Sequence, residues 1–389
     1  MRLNELNHLF SKIVDQYPQI SDINLTVGHP VQVEVYGELL PVQLNLGSKV
    51  LTPFQTEVMA LNLLKSDRSK IETLLREGSC DFSHAIFNKA RFRVNIFSQR
   101  NRYSIVMRKL PVNVPTIEEL GLPQSFKKIA REKNGLVFFT GATGTGKTTS
   151  LAAILDEINR NEPVHIITLE DPVELIHSTK KATFNQREMG SDFYSFASGL
   201  RSALRQSPKV VLVGEIRDRE TMEIALTAAE TGHLVFTTLH TIDAPQTLNR
   251  ILGFFDHEEE KQVRTRMAGS MRWIIGQRLV PHAEKGRVAV FEIMINNLRV
   301  QDLIINGESE DKTFYEILET SGPLGCQTFD QDLIVKYREG MIMEETAMLY
   351  ASKRSIVQRG IDQIKSHRGE KTTDIDGLRL DKDYQKSFR

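Results

Sequence analysis

A glycine-rich loop between two apolar runs constrains this 389-residue chain more than any other feature of its sequence. Residues 141–148 read GATGTGKT and satisfy the pattern G-x-x-x-x-G-K-[ST]. The run LVFFT before the loop is typical of a buried strand, and TSLAAILDEI after it is typical of a helix. Glycines let the backbone N–H groups and the helix N-terminus point at phosphate oxygens. The loop therefore predicts an α/β domain that binds a nucleotide.

Two residues at the end of this loop have specific predicted roles. Lys147 supplies a positive charge to the β- and γ-phosphate oxygens, and the Thr148 hydroxyl ligates Mg²⁺. The predicted ligands are thus ATP and Mg²⁺. The alternative, a glycine-rich turn that binds nothing, is disfavoured by the flanking strand and helix. The predicted nucleotide-binding residues are Gly141, Thr143, Gly144, Thr145, Gly146, Lys147, Thr148 and Thr149.

Two carboxylates follow strand-like runs further along the chain. Glu170 follows the run 164–169, and Glu215 follows VVLVG, in which Gly214 stands where an aspartate is usual. Parallel strands bring their C-terminal ends together beside the ligand. Phosphoryl transfer needs a metal holder and a group that orients the attacking water, and we therefore predict that Glu170 and Glu215 are catalytic and supply these two functions. The alternative for each is an exposed turn residue.

A histidine ends the next strand-like run, 234–239. His240 lies where it can sense the γ-phosphate, although a hydrogen-bonded structural histidine is the commoner case. For His233, before the same run, the functional and structural interpretations are equally weighted. Asp171 and Glu174 have equal alternatives as helix-start or surface charges.

The order of the elements predicts a domain organisation. Residues 1–110 combine a helical pattern over 3–14 with three strand-like runs between 80 and 107, so they predict a smaller α+β domain. Two prolines favour a linker at 111–117. Strand-like and helical runs then alternate, which predicts a parallel sheet with helices on both faces over 118–350, mainly helical after about residue 255. We expect the polar tail, 351–389, to be weakly ordered.

Composition excludes several classes of protein. The chain is 40% hydrophobic and 26% charged, and 50 Lys and Arg balance 50 Asp and Glu. Cys80 and Cys326 are its two cysteines, too few for a disulfide framework or a Cys-rich zinc site. No apolar stretch approaches the ~20 residues that span a bilayer. We therefore predict a cytoplasmic protein without a nucleic-acid partner held by bulk charge.

The motifs together resemble those of the secretion/traffic ATPases. The run GEIRDRETMEIALTAAETGHLVFTTLHT at 214–241 is similar to the pilus-retraction branch, the PilT/PilU family of twitching motility. SDINL at 21–25 and ARFRVNIFSQRN at 90–101 resemble its N-terminal motifs. RVQDLIING at 299–307 departs from the AIRNLI-type motif of the family. GCQTFDQDL at 325–333 leans toward the PilU side.

The resemblance implies a homohexamer in which each subunit joins a PAS-like N-terminal domain to a RecA-like P-loop motor domain. It implies that Glu170 activates the attacking water, Glu215 supports the metal and water, and His240 reads the nucleotide state. N-terminal arginines would place charge on the nucleotide across domains or subunits, as arginine fingers do, although each has an alternative as a solubilising charge. These are Arg91, Arg93, Arg100 and Arg108.

The resemblance further implies retraction of a type IV pilus at the cytoplasmic face of the inner membrane. The implied partners are a membrane platform protein, pilin indirectly, and a paralogous retraction ATPase as a further candidate. Three alternatives stay open: an accessory PilU-like subunit with little turnover, an assembly or secretion ATPase, and a nucleic-acid translocase. The assembly class usually carries paired CxxC zinc ligands, which two isolated cysteines cannot supply.

Overall fold

The computed structural model describes residues 2–42, 49–86, 89–111 and 113–370, which form two β-sheets with their helices. No helix in these ranges is both long and apolar enough to cross a membrane. The helices are α1 (Leu3–Gln16), α2 (Pro53–Leu63), α3 (Arg68–Glu77), α4 (Ser125–Ile129), α5 (Lys147–Asn161), α6 (Phe196–Leu204), α7 (Arg219–Glu230), α8 (Ala244–Leu252), α9 (Glu260–Ser270), α10 (Leu298–Asn306), α11 (Phe314–Thr320), α12 (Phe329–Arg338), α13 (Glu344–Tyr350) and α14 (Arg354–Arg368). The strands are β1 (Ile20–Leu25), β2 (Gln32–Val35), β3 (Glu38–Pro41), β4 (Ser79–Ile86), β5 (Ala90–Gln99), β6 (Arg102–Leu110), β7 (Gly135–Thr140), β8 (His165–Glu170), β9 (Thr183–Glu188), β10 (Val210–Val213), β11 (Leu234–Leu239), β12 (Met271–Pro281) and β13 (Arg287–Ile295).

The N-terminal sheet contains six strands in the order β3-β2-β1-β6-β5-β4, and every neighbouring pair is antiparallel. Its buried side alternates with polar positions, as a half-buried strand requires. In β5, for example, Phe92, Val94 and Ile96 are buried while Arg93 is exposed. Helix α1 covers this side with Leu6 and Phe10. The helix over 3–14 and the three strands between 80 and 107 are confirmed.

The larger sheet contains seven strands in the order β13-β12-β7-β11-β10-β8-β9. All of its neighbouring pairs are parallel except the β12–β13 pair at one edge. Strand β7 shows why both faces need helices, because Leu136 and Phe138 pack into one apolar cluster while Val137 and Phe139 pack into another. The predicted parallel sheet with helices on both faces is confirmed, and its carboxyl edge collects the ends of β7, β8, β10 and β11.

The prediction that the chain is mainly helical after about residue 255 is wrong for 271–295. These residues form the hairpin β12–β13, which extends the large sheet beside β7. The run WIIGQRLV in β12 is largely buried, including Gln277, so it lacks the apolar–polar alternation that marks a half-buried strand. Strand β9 was not predicted either, because its sequence TFNQRE is mostly polar.

The tail prediction needs a correction as well. Helix α14 lies inside the segment 351–389 that we expected to be weakly ordered. Val357 and Ile361 are four residues apart and therefore share a helix face, which is fully buried in an apolar cluster with α12. Residues 371–389 lie outside the described residues, as does Val112 of the predicted linker. The boundaries 1–110, 111–117 and 118–350 remain predictions.

Candidate active site

The glycine-rich loop connects β7 to α5 and packs against β12. Gly141 has φ +144°, and a Cβ atom there would lie 2.4 Å from the Gln277 carbonyl oxygen. Gly146 has φ +88°, and its Cβ would lie 2.9 Å from Gln277 Nε2. That amide nitrogen donates a hydrogen bond to the Thr145 carbonyl at 2.9 Å. The loop therefore takes its shape from glycine conformations and from the buried Gln277 side chain behind it.

Lys147 lies at the start of α5 with only 7% of its surface exposed. Its ammonium group donates hydrogen bonds to the carbonyl oxygens of Gly141 at 2.7 Å and Ala142 at 3.0 Å. Burial lowers the pKa of Lys147, and the nearby Glu215 carboxylate opposes that shift. A buried cation bonded to carbonyls rather than to a carboxylate is well suited to receive phosphate oxygens.

Glu170 ends strand β8 as a buried carboxylate, 8% exposed. Its Oε1 accepts hydrogen bonds from Thr168 Oγ1 at 2.5 Å and from Gln186 Nε2 at 3.0 Å. Burial raises the pKa of Glu170, and the bonds from Thr168 and Gln186 partly offset this rise. Both bonds reach Oε1, so Oε2 is the oxygen left to accept a hydrogen bond from a water in the site.

Glu215 follows β10 and faces the loop. Arg217 bonds its Oε1 at 2.7 Å, while His240 Nε2 lies 3.5 Å from its Oε2. That second oxygen is buried and has no hydrogen-bond partner. Leaving a buried carboxylate oxygen unpaired is costly, and a bound cation would satisfy it. The predicted metal ligands Glu215 and Thr148 therefore fit a Mg²⁺ ion beside the phosphates.

These groups open into one cavity of about 600 Å³ at the carboxyl edge of the large sheet. Gly141 and Thr145 shape the loop but do not line the cavity. Thus most of the predicted residues come together at one place. Those that line the cavity are Thr143, Gly144, Gly146, Lys147, Thr148, Thr149, Glu170, Glu215, His240 and Arg93.

The four predicted arginines of the N-terminal sheet have different surroundings. Arg93 lines the cavity from β5. Arg91, two residues earlier, bonds Glu188 at 3.3 Å and does not line it. Arg108 donates to Asp22 at 2.9 Å, and Arg100 is exposed in the β5–β6 turn with φ +51°. Within this chain, only Arg93 of the four thus contributes to the cavity.

Of the residues with balanced alternatives, two belong to the site. Asp171 and Glu174 line the cavity, where burial raises the pKa of Asp171 and Arg93 opposes that shift. His233 precedes β11, at the opposite edge of the sheet from His240, and its Nδ1 lies 3.0 Å from the Ala228 carbonyl oxygen. His233 is thus bonded locally, away from the cavity.

Sequence reasoning missed several residues of the site. Arg217 and Arg287 line the cavity, Gln186 bonds Glu170, and Gln277 supports the loop. Arg217 stands two residues after Glu215, a spacing that could have identified it. The other three belong to strands that were not predicted, so no pattern placed them near the loop.

A larger cleft, of about 1130 Å³, lies between the N-terminal sheet, the segment after β6 and helix α5. Its cations are paired: Lys180 and Arg160 bond the Asp156 carboxylate at 2.6 and 2.7 Å. It contains neither the glycine-rich loop nor an unpaired carboxylate of the strand ends. The smaller cavity is therefore the better candidate for the active site.

Comparisons with known proteins identify the family of the chain. Residues 77–378 match the family model described as Type II/IV secretion system protein. The type IV pilus ATPase PilU of Pseudomonas aeruginosa is 39% identical over 89% of this chain and 90% of its own length. The type IV pilus retraction ATPase PilT of the same organism is 42% identical over 84% of this chain and 93% of its own. A crystal structure of the pilus retraction motor PilT with bound ADP is 37% identical, covers 90% of this chain and 98% of its own, and has a TM-score of 0.80.

A glycine-rich phosphate loop, carboxylates at neighbouring strand ends and a second, N-terminal sheet define a P-loop ATPase of the secretion class. The chain belongs to the Type II/IV secretion system protein family. The predicted fold class, α/β with a RecA-like P-loop domain and a smaller N-terminal domain, is confirmed by the likeness to the PilT structure. The predicted ATPase activity follows from the same relatives.

Replacing Gly141 tests the geometry of the loop. We expect Gly141→Ala to abolish measurable ADP binding, because the added methyl would overlap the Gln277 carbonyl. Isothermal titration with Mg–ADP measures this binding. The matched control is Gly269→Ala in α9, where a Cβ meets no atom within 4 Å. ADP affinity of Gly141→Ala equal to that of the control would contradict the assigned loop.

Proposed function

We propose that this chain is a homohexameric motor that hydrolyses ATP to retract type IV pili. One observation carries the proposal: the phosphate loop, the buried Glu170 carboxylate and the unpaired oxygen of Glu215 open into one cavity. The relatives support pilus retraction as the mechanical work, because the chain matches PilU and PilT over nearly their whole length.

The residues divide the chemistry of hydrolysis among them. Lys147 and the loop N–H groups hold the β- and γ-phosphates of ATP. The Thr148 hydroxyl and Glu215 would hold Mg²⁺, which neutralises phosphate charge when bound. These two protein ligands suffice to hold the ion, since Mg²⁺ is usually bound by one or two carboxylates together with substrate phosphates. Glu170 orients the attacking water through Oε2. His240, whose Nε2 lies 3.5 Å from Oε2 of Glu215, reads the nucleotide state.

The N-terminal sheet would move relative to the large sheet because residues of both contact the same nucleotide phosphates. Arg93 reaches the cavity from the N-terminal sheet, so ATP attracts that sheet toward the phosphate loop. Loss of the γ-phosphate removes part of this attraction, and the two sheets separate about the 111–117 linker. Arg100 is exposed in the β5–β6 turn, which leaves it available to a neighbouring subunit's nucleotide. Arg108 is exposed too, but to reach such a nucleotide it would have to give up its bond to Asp22. Such a ring would act on a platform protein at the cytoplasmic face of the inner membrane, and through it on pilin.

A second candidate is an accessory ring subunit with little turnover of its own that works beside a paralogous retraction ATPase. The specific observation in its favour is the likeness to PilU over 89% of the chain. Both candidates bind ATP in the same cavity. The steady-state ATPase rate of the purified wild-type protein separates them, since the accessory subunit would bind ADP but turn over little ATP.

Glu170 gives the sharpest test of the chemistry. We expect Glu170→Gln to lower kcat by roughly 10²–10⁴-fold, because the amide cannot take up a proton from water. ADP affinity should stay close to that of the wild type, since Lys147 and the loop are untouched. Glu174→Gln is a useful comparison, because it removes another carboxylate from the same cavity. A kcat in Glu170→Gln within twofold of the wild type would refute the assignment.

The hydrogen bond from Gln186 predicts a pH effect. This bond lowers the pKa of Glu170, so Gln186→Leu should raise it. Glu170 must be ionised to act as a base, and kcat therefore falls as pH drops through its pKa. A higher pKa moves that fall to higher pH. The measurement is kcat between about pH 5 and pH 9, and an acid limb that stays in place or moves to lower pH would contradict the role of Gln186.

Retraction itself is tested in the bacterium that carries the gene. Deletion should leave cells with excess surface pili and no twitching, because pili assemble but cannot be withdrawn. Complementation with the wild-type gene should restore motility, whereas the Glu170→Gln gene should not. Cells without pili after deletion would instead indicate an assembly ATPase. Normal retraction in cells that carry only the Glu170→Gln gene would favour the accessory role.

A further inference from the structure

The edge strand β9 carries two functional contacts on one face. Gln186 and Glu188 are two residues apart in this strand, so their side chains point the same way. In the parallel register with β8, Gln186 pairs with Thr168 and Glu188 pairs with Glu170. Gln186 bonds the Glu170 carboxylate at 3.0 Å. The strand that orients Glu170 is therefore also the strand that presents Glu188.

Glu188 joins the two sheets. Its Oε2 lies 3.3 Å from an Arg91 nitrogen, and its Oε1 accepts a hydrogen bond from Ser83 Oγ at 3.1 Å. Both partners belong to the N-terminal sheet, on β5 and β4. The same Oε2 also accepts the backbone N–H of Val173 at 3.2 Å, two residues beyond Asp171 in the loop after β8. One carboxylate thus bonds the N-terminal sheet and the acidic loop at once.

The Arg91–Glu188 pair is largely withdrawn from solvent, so removing one partner costs more than it does in a surface pair. The side chains are 14% and 12% exposed. Burial lowers the pKa of Arg91, and the Glu188 charge opposes that shift. Arg91 also donates to the Glu174 carbonyl at 3.5 Å. Removing one partner of such a pair leaves a buried charge without compensation. An exposed pair, by contrast, contributes little to the stability of the fold.

The contacts between the sheets are concentrated at this point. In the described part of the chain, strands β4 and β5 make hydrogen bonds to residues beyond 116 at two acceptors. These acceptors are the Glu188 carboxylate and the Glu174 carbonyl. Movement of the N-terminal sheet must therefore pull on the loop directly after Glu170 and on the strand that carries Gln186. Arg91 does not line the cavity, so it acts on hydrolysis through the groups that it bonds, Glu188 and the Glu174 carbonyl. Its charge also favours the ionised form of Glu170 and so lowers the pKa of that carboxyl, against the larger effect of burial.

We propose that Glu188 is a positioning residue that couples the placement of the N-terminal sheet, through Arg91, to the orientation of the Glu170 carboxylate. This inference rests on the proposed ATPase function. Glu188 touches no reacting atom; it acts by holding β9 and the acidic loop where Gln186 and Glu170 meet. Rotation of the N-terminal sheet after phosphate loss would shift β9 and the acidic loop through this contact.

The test compares Glu188→Gln, Arg91→Ala and the double variant in the full-length protein. Glutamine keeps the shape of Glu188 and its acceptor for Ser83 but removes the charge. Because small displacements of catalytic groups are expensive, kcat should fall about 10- to 100-fold in each single variant. Affinity for Mg–ADP should stay near the wild-type value. The double variant should be no slower than the worse single variant, because both substitutions break one coupling.

Lys89→Ala is the matched control, since Lys89 precedes β5 and its exposed pair with Asp15 stays within the N-terminal part of the chain. Its kcat should equal that of the wild type. The proposal is overturned if Glu188→Gln retains wild-type kcat, if the two single losses multiply in the double variant, or if ADP affinity falls as much as kcat. If Glu188→Gln does not fold, the split between kcat and ADP affinity in Arg91→Ala decides alone. A wild-type protein without ATPase activity would instead refute the proposed function.

Discussion

The burial of ionisable groups at the carboxyl edge of the large sheet is the constraint on which the site depends. Lys147 and Glu170 are each less than a tenth exposed, and neither is paired with an opposite charge by a salt bridge in the described structure. Burying a charge is unfavourable unless hydrogen bonds or counter-charges compensate. Here carbonyl oxygens, Thr168 and Gln186 supply that compensation only in part. Phosphate oxygens would complete it for the Lys147 ammonium group, and the raised pKa of Glu170 reflects the compensation that this carboxylate lacks. Both groups therefore face a cavity rather than a packed core.

Local sequence patterns predicted the parts of the fold in which neighbouring residues decide the structure. The glycine-rich loop, β7 and α5 are contiguous, and Gly141 and Gly146 have the backbone conformations that such a loop requires. The hairpin β12–β13 was misread as helical because its apolar run lacks the alternation of a half-buried strand. Helix α14 was missed because its buried face rests on few apolar residues, Val357 and Ile361 among them, within a polar segment.

The residues of the site show the same difference between local patterns, which could be read from the sequence, and distant contacts, which could not. Glu170, Glu215 and His240 were identified because each follows an apolar run, and parallel strands necessarily bring such positions together. Gln186 and Gln277 were missed because their partners, Glu170 and the Thr145 carbonyl, are far away in sequence and meet them only through sheet register. The arginines show the same limit. Arg91 and Arg93 are two residues apart in β5, and only the placement of the N-terminal sheet against β9 of the other sheet decides which of them meets Glu188.

This difference between neighbouring arginines bears on how a motor links chemistry to movement. Arg93 is 44% exposed and lines the cavity, so its attraction to a nucleotide depends on whether the site is filled. Arg91 is largely buried against Glu188 and lies outside the lining of the cavity, so this contact does not itself involve a bound nucleotide. Strand β5 therefore carries one arginine, Arg93, that would respond to a bound nucleotide and another, Arg91, that is held by Glu188. The Arg91–Glu188 pair would then act as a pivot. Rotation of β5 about the Arg91–Glu188 pair would carry Arg93 toward or away from the phosphates while keeping the Glu170 loop under the control of the N-terminal sheet.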